Sequence, residues 1–205
     1  MRTLSAAWER VLLFTGVSVL WAVLYLSVAG WNAGRAGCVL AWDPAHLLPR
    51  LSLFVVPYLS VGALAVLPIL VFRDRAAFRR LAAVTAGVIV FSVIVFILWP
   101  LHMPRQPIVQ ASPFDWLLGR TYAADRPTNL FPSLHVSLSV LFALAVGYVR
   151  PRWKPWLLSW AALIAASTLF THQHYAIDVL GGTLVAWIGW KIFLRGQKPP
   201  NANRT

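Results

Sequence analysis

Most of this chain is written in long apolar runs, and a run of that length restricts the solvent in which it folds. A helix that crosses hydrocarbon needs about 20 predominantly apolar residues. Runs of that length, or close to it, occupy residues 11–30, 51–72, 81–99, 133–148, 155–170 and 175–194. Composition agrees with a membrane setting. The chain is 59% hydrophobic and 12% charged, with a mean hydropathy of +0.69, whereas a soluble domain carries roughly 25% charged residues. The expected fold is all-α: six transmembrane helices in one bundle, forming a single domain over residues 1–205. The catalytic core is expected over about 99–195, with a polar, disordered tail from about 196 to 205.

The first run is longer than the apolar core of a cleavable signal peptide, about 7–15 residues, and reads as a retained helix. Pro57 and Pro68 lie inside the second run. Proline is tolerated in a membrane helix when neighbours satisfy the freed backbone groups. Residues 31–50 read as a loop with an interfacial piece near 45–48, and Trp31 and Trp42 suit the interface. Residues 73–80 read as a basic loop. Residues 100–132 form the longest polar stretch, with a short interfacial helix expected at 114–118. The lone Cys38 permits no internal disulfide and no cysteine-based metal site.

The net charge is +12. The basic residues sit in short loops between apolar runs, so anionic lipid headgroups suit them better than nucleic acid. With six spans, thirteen Lys and Arg fall on the side of the termini and five on the other: Arg35, Arg50, Arg105, Arg120 and Arg126. The richer side is the cytoplasmic one. The expected location is therefore the cell (inner) membrane, with cytoplasmic termini and the loop before His135 facing outward. His135 and His174 are separated by one helix down and one helix up. They arrive at the same face instead of lying about 30 Å apart across hydrocarbon.

Two polar clusters carry the chemistry. His174 and Asp178 are four positions apart and share a face if both are helical. A carboxylate accepting from imidazole Nδ1 leaves Nε2 as a nucleophile or base; the alternative is a structural His–Asp pair. Asp178 opens an apolar run, where an ionisable residue is costly and a functional candidate. In the other cluster, Ser133 is placed as a helix N-cap with His135 in the first turn; the alternative is a plain cap beside an interfacial histidine. Free N–H groups at a helix start attract anions. Together these residues compose a phosphoryl-transfer site. His174 attacks phosphorus, His135 protonates the leaving oxygen, and arginines hold the remaining oxygens. Zinc is the rival for three histidines and an aspartate. His172 and His174, two apart, diverge on a helix, so no metal or other cofactor is expected.

Pro132-Ser133-Leu134-His135 resembles the second signature of the type 2 phosphatidic acid phosphatase and haloperoxidase superfamily, usually Pro-Ser-Gly-His. Ser167 with His174 and Asp178 resembles its third signature, Ser-Arg-x5-His-x3-Asp. The membrane branch implied by this resemblance is six-helical, metal-independent and acts through a phosphohistidine. The resemblance implies His174 as nucleophile, Asp178 as its partner and His135 as acid. The departures are Thr168 in place of the third-signature arginine and Leu134 in place of glycine. The first signature, Lys-x6-Arg-Pro, is incomplete; Arg126-Pro127 matches its end, and Arg105 and Arg120 are further candidates for the phosphate. Ser133 and Tyr175 complete the candidate substrate-binding set, with an interfacial anchor as the other role for Tyr175. The variant Phe-Pro-Ser-Leu-His with His-Tyr-x-x-Asp-Val is similar to the inositol phosphorylceramide synthase-like subgroup, which transfers a phospho-headgroup to an alcohol.

The expected function is a lipid phosphate or pyrophosphate phosphatase, with headgroup transfer between lipids as the alternative. A non-catalytic transporter or assembly factor is the third reading. A transporter would show repeats and mid-membrane charges, whereas the polar residues here gather at one interface. His172 and Gln173 are placed at the site mouth, and Gly181-Gly182 at a close helix contact.

Overall fold

The computed structural model describes residues 5–195 and 197. Arg2, Lys198, Arg204 and most of the expected disordered tail lie outside the described residues. Those described form eight α-helices joined by loops and three short 3-10 turns, without a β-strand. The helices are α1 (Ala6–Asn32), α2 (Val55–Leu59), α3 (Val61–Val71), α4 (Arg75–Leu98), α5 (Pro113–Ala124), α6 (Leu134–Val149), α7 (Lys154–Phe170) and α8 (Ala176–Leu194).

Local chemistry explains the starts. Ser5 accepts from the Trp8 N–H, Asp74 from the Ala76 and Ala77 N–H groups, and Ser112 from the Asp115 N–H. The Asp74 cap moves the third apolar helix upstream of its expected start. Arg75, Arg79 and Arg80 are therefore helical and do not form a loop. Long arginine stems cover apolar helix surface while their heads reach the interface, so a basic run does not end a helix. Pro113 at the first position of α5 likewise extends the expected short interfacial helix to 12 residues. The second span is broken at Ser60, between α2 and α3. Its hydroxyl donates to the Pro57 carbonyl at 2.6 Å and accepts from Trp160 Nε1–H at 2.8 Å.

α6 is the central helix, packed against α3, α4, α7 and α8. Its Leu141, Ala143, Ala145 and Val146 are fully buried. α1 and α4 run in the same direction. Glu9 pairs with Arg75 and Arg79 at one end, and Asn32 Nδ2–H donates to the Phe96 carbonyl at the other, 2.9 Å away. α6 and α8 also run together, with the Ser133 N–H donating to the Asp178 carbonyl at 3.1 Å. α7 runs back between their ends.

Four helical stretches are long and apolar enough to cross a membrane: Ala6–Asn32, Ser52–Val71, Arg75–Leu98 and Ala176–Leu194. α6 and α7, with 16 and 17 residues, match the lengths of the expected runs but fall short of the about 20 residues a crossing needs. At 1.5 Å per residue α6 covers about 24 Å, less than a typical hydrocarbon core. The expected all-helical architecture is present among the described residues, and helix length and composition support four of the six expected crossings.

Candidate active site

The site is built where the starts of α6 and α8 meet the end of α7. At Thr171 the chain leaves α7, and His172 adopts a left-handed backbone with φ 50°. The reversal lets the Gln173 and His174 N–H groups both donate to the Thr168 carbonyl, at 2.9 and 3.2 Å. His172 faces away, its Nε2 lying 3.0 Å from the Leu48 carbonyl.

His174 therefore precedes α8. The shared helix face expected from its spacing is not how it meets Asp178. Asp178 is the third residue of α8 and folds back over the helix start. Its Oδ2 accepts from the Tyr175 N–H at 2.8 Å and lies 3.2 Å from His174 Nδ1. A capping interaction thus aims the carboxylate at the imidazole. Asp178 is fully buried and His174 is 4% exposed, so the pair is shielded from water. Asp178 Oδ1 has no hydrogen-bond partner. With Nδ1 engaged, Nε2 is the nitrogen left for chemistry.

Asp43, from the loop after α1, caps the same helix. Its Oδ1 accepts from the Ala176 N–H at 2.9 Å and its Oδ2 from the Ile177 N–H at 3.1 Å. The N-terminus of α8 is thereby closed to an outside anion. That of α6 is more open: Ser133 Oγ accepts from the Val136 N–H at 3.4 Å, and Ser133 itself is buried. Ser133 thus acts as the expected cap.

His135 stands in the first turn of α6, its ring centroid 6.0 Å from that of His174. Its ring also stacks on Tyr58, centroids 4.2 Å apart at 27°. Gly182 allows this approach of α6 and α8. A Cβ there would lie 2.6 Å from the Ser133 carbonyl oxygen, and one on Gly181 would strike the Phe131 ring. The close helix contact expected at this pair of glycines is present at Gly182, whereas Gly181 meets a residue of the loop before α6.

Arg105 reaches the site from the loop after α4. Its Nη1–H donates to the Asp125 carbonyl at 2.5 Å, its Nη2–H donates to Gln173 Oε1, and its guanidinium lies 4.4 Å from the Tyr122 ring centre. Arg105 Nε and Gln173 Nε2 are buried donors without an acceptor. Unmet donors of this kind are costly and fit an anionic ligand. Arg120 is exposed on α5 and lines a cavity of about 500 Å³ together with His135. Arg126 is exposed and does not line that cavity. Thr168, at the place of the third-signature arginine, is buried, and its hydroxyl donates to the Ala165 carbonyl at 2.7 Å.

Tyr175 is directed elsewhere. Its hydroxyl donates to the His102 carbonyl at 2.8 Å and accepts from the Leu40 N–H at 3.4 Å, and its ring meets His46. It fastens two loops to the start of α8. Burial raises its phenol above the ordinary tyrosine range.

Asp125, Tyr25 and Tyr58 escaped the sequence reading. The Tyr25 hydroxyl donates to Asp125 Oδ1 at 2.7 Å and that of Tyr58 to Oδ2 at 3.0 Å. All three line the cavity beside His135. No local spacing announces them, because the partners are 100 and 67 positions apart. Among the described residues, no group of three or more His, Cys, Asp or Glu is arranged to hold a metal ion.

Comparison with known proteins agrees with this geometry. Over 58 residues the chain is 29% identical to the inositol phosphorylceramide synthase catalytic subunit AUR1 of Saccharomyces cerevisiae. That stretch is 28% of this chain and 14% of the yeast protein. Residues 54–192 match the family model of the PAP2 superfamily, a family of phosphatases and phosphotransferases. The matched region takes in both histidine-bearing segments, helices α2 to α7 and most of α8. The chain belongs to the PAP2 superfamily.

Proposed function

We propose that this protein is a lipid phosphate or pyrophosphate phosphatase that works through a phosphohistidine. The observation that carries the reading is the His174–Asp178 pair facing His135, with the unmet donors of Arg105 and Gln173 beside it. His174 Nε2 attacks phosphorus. The N–P bond forms as the bond to the leaving oxygen breaks, and that oxygen takes a proton from His135. Water then attacks the phosphohistidine, giving its proton to His135 as the N–P bond breaks. Asp178 holds the His174 tautomer and stabilises the imidazolium. Arg105 is the principal clamp for the phosphoryl oxygens, with Arg120 and Arg126 on the approach and the first N–H groups of α6 beside them.

The apolar walls of the cavity, among them Trp21, Leu26, Leu59 and Leu138, suit a lipid tail. The five arginines on the side of the site against thirteen basic residues on the other support an outward-facing site in a cell membrane crossed six times. Transfer of the phospho-headgroup to a second lipid is the alternative, favoured by the similarity to the yeast synthase subunit. Water and an alcohol compete at the same phosphohistidine, so the two readings differ only in the second step.

Purified protein given lipid phosphates, with and without an alcohol acceptor and with and without EDTA, tests both. Phosphate release lost in His174→Ala and indifferent to EDTA is the expected result. Activity surviving in that variant overturns the mechanism, loss with EDTA indicates a metal, and product formed only with an acceptor selects the transferase.

A further inference from the structure

We infer that Asp125 is a positioning residue for proton donation, holding His135 in place through Tyr58 and favouring its protonated form. The inference rests on the phosphohistidine reading above. The carboxylate accepts from two tyrosine hydroxyls, Tyr25 at 2.7 Å and Tyr58 at 3.0 Å. The Tyr58 ring lies flat on the His135 imidazole, 4.2 Å between centroids. The loop bearing Asp125 is pinned by Arg105, whose Nη1–H donates to the Asp125 carbonyl. One chain of contacts therefore joins the phosphate clamp, the carboxylate and the proton donor.

Charge gives the second half of the argument. A carboxylate in a cavity that receives a phosphate repels the ligand unless it serves a cation. Among the described residues no lysine or arginine forms an ion pair with Asp125. Tyr58 from α2 and His174 from the turn before α8 meet the His135 ring, and Tyr25 from α1, Arg120 from α5 and Asp125 line the same cavity. Asp178 is engaged with His174 Nδ1, so Asp125 is the carboxylate on the His135 side, while Arg120 opposes a second cation. An imidazolium is the form that donates a full proton to the leaving oxygen, and a nearby carboxylate favours it. The two tyrosine bonds leave lone pairs on both carboxylate oxygens, so the charge is directed without being consumed.

The test compares Asp125→Asn and Asp125→Glu with the parent protein on two substrates. One is a long-chain alkyl phosphate, whose leaving oxygen needs a proton. The other is 4-nitrophenyl phosphate, whose leaving group does not. Asp125→Asn is expected to lower kcat on the alkyl phosphate by about tenfold or more, with little loss on the aryl phosphate. The alkaline limb of its pH profile is expected to move down by about one unit, because His135 loses its proton more readily without the carboxylate. Asp125→Glu is expected to restore both. Equal loss on both substrates with an unmoved limb overturns the inference, as does unchanged activity. Asp125→Ser makes the same charge change with less bulk. If neither neutral variant folds, the carboxylate is a structural anchor and the inference fails. Absence of phosphate release by the parent protein, or its survival in His174→Ala, would instead strike the phosphohistidine reading.

Discussion

The backbone N–H of Ser133 donates to the carbonyl of Asp178, 3.1 Å away. This bond ties the start of α6, which carries His135, to the first turn of α8, which carries the partner of His174. The Ser137 hydroxyl adds a second tie, donating to the Ser133 carbonyl at 2.8 Å and sharing its proton with that of Gly182, 3.1 Å away. The distance between the two histidines is thus set by backbone contacts.

Gly182→Ala probes this directly. Its Cβ would sit 2.6 Å from the Ser133 carbonyl oxygen and 3.0 Å from Val136 Cβ, and backbone does not rotate aside. Destabilisation of about 1–3 kcal/mol is expected, with loss of activity as the histidines separate. Gly16→Ala in α1 is the control, because nothing lies within 4 Å of its added Cβ. Thermal unfolding in detergent reads both.

Asp178→Asn keeps an acceptor for the Tyr175 N–H but removes the charge that fixes His174. A fall in kcat of about 10³-fold or more is expected, with a small change in melting temperature. Phosphate release measured alongside thermal unfolding separates the two effects.

Arg105→Lys is not a conservative change. A lysine cannot span the Asp125 carbonyl, Gln173 Oε1 and the Tyr122 ring together. A loss of about 10–100-fold in kcat/KM is expected, larger than that from Arg126→Lys. Steady-state kinetics on one lipid phosphate make the comparison.

Tyr175→Phe removes hydroxyl bonds to the His102 carbonyl and the Leu40 N–H. The expected effect is on stability, about 1 kcal/mol, with KM unchanged. A raised KM at unchanged stability would return Tyr175 to the substrate.

Asp43→Ala uncaps α8, since its carboxylate accepts from Ala45, Ala176 and Ile177. A cost of about 1–2 kcal/mol is expected. Hydrogen exchange should locate it at the Ala176 and Ile177 amides.

Hydropathy, caps and charge placement, all local properties, determined much of this protein. They supplied the helices within a few residues, the arrival of His135 and His174 at one end, the Ser133 cap and the close approach at Gly182. Local reading erred where a tertiary partner or a long side chain intervened. Arg75, Arg79 and Arg80 joined α4 because Asp74 caps it and Glu9 meets two of them. The four-residue spacing puts His174 on a helix face with Asp178, yet His174 precedes α8. The left-handed turn at His172 and the folded-back carboxylate bring the two together instead.

Only the tertiary structure decided the setting of His135. Tyr25, Tyr58 and Asp125 come from three elements and carry no periodic signal. Two tyrosines inside apolar helices read as packing until a carboxylate from a distant loop is placed against them. A hydrogen bond depends on separations of about 3 Å in space, whereas periodicity records neighbours three or four positions apart. Chain composition determined that four helices are long and apolar enough to cross a membrane, and the meeting of remote polar groups determined what surrounds His135.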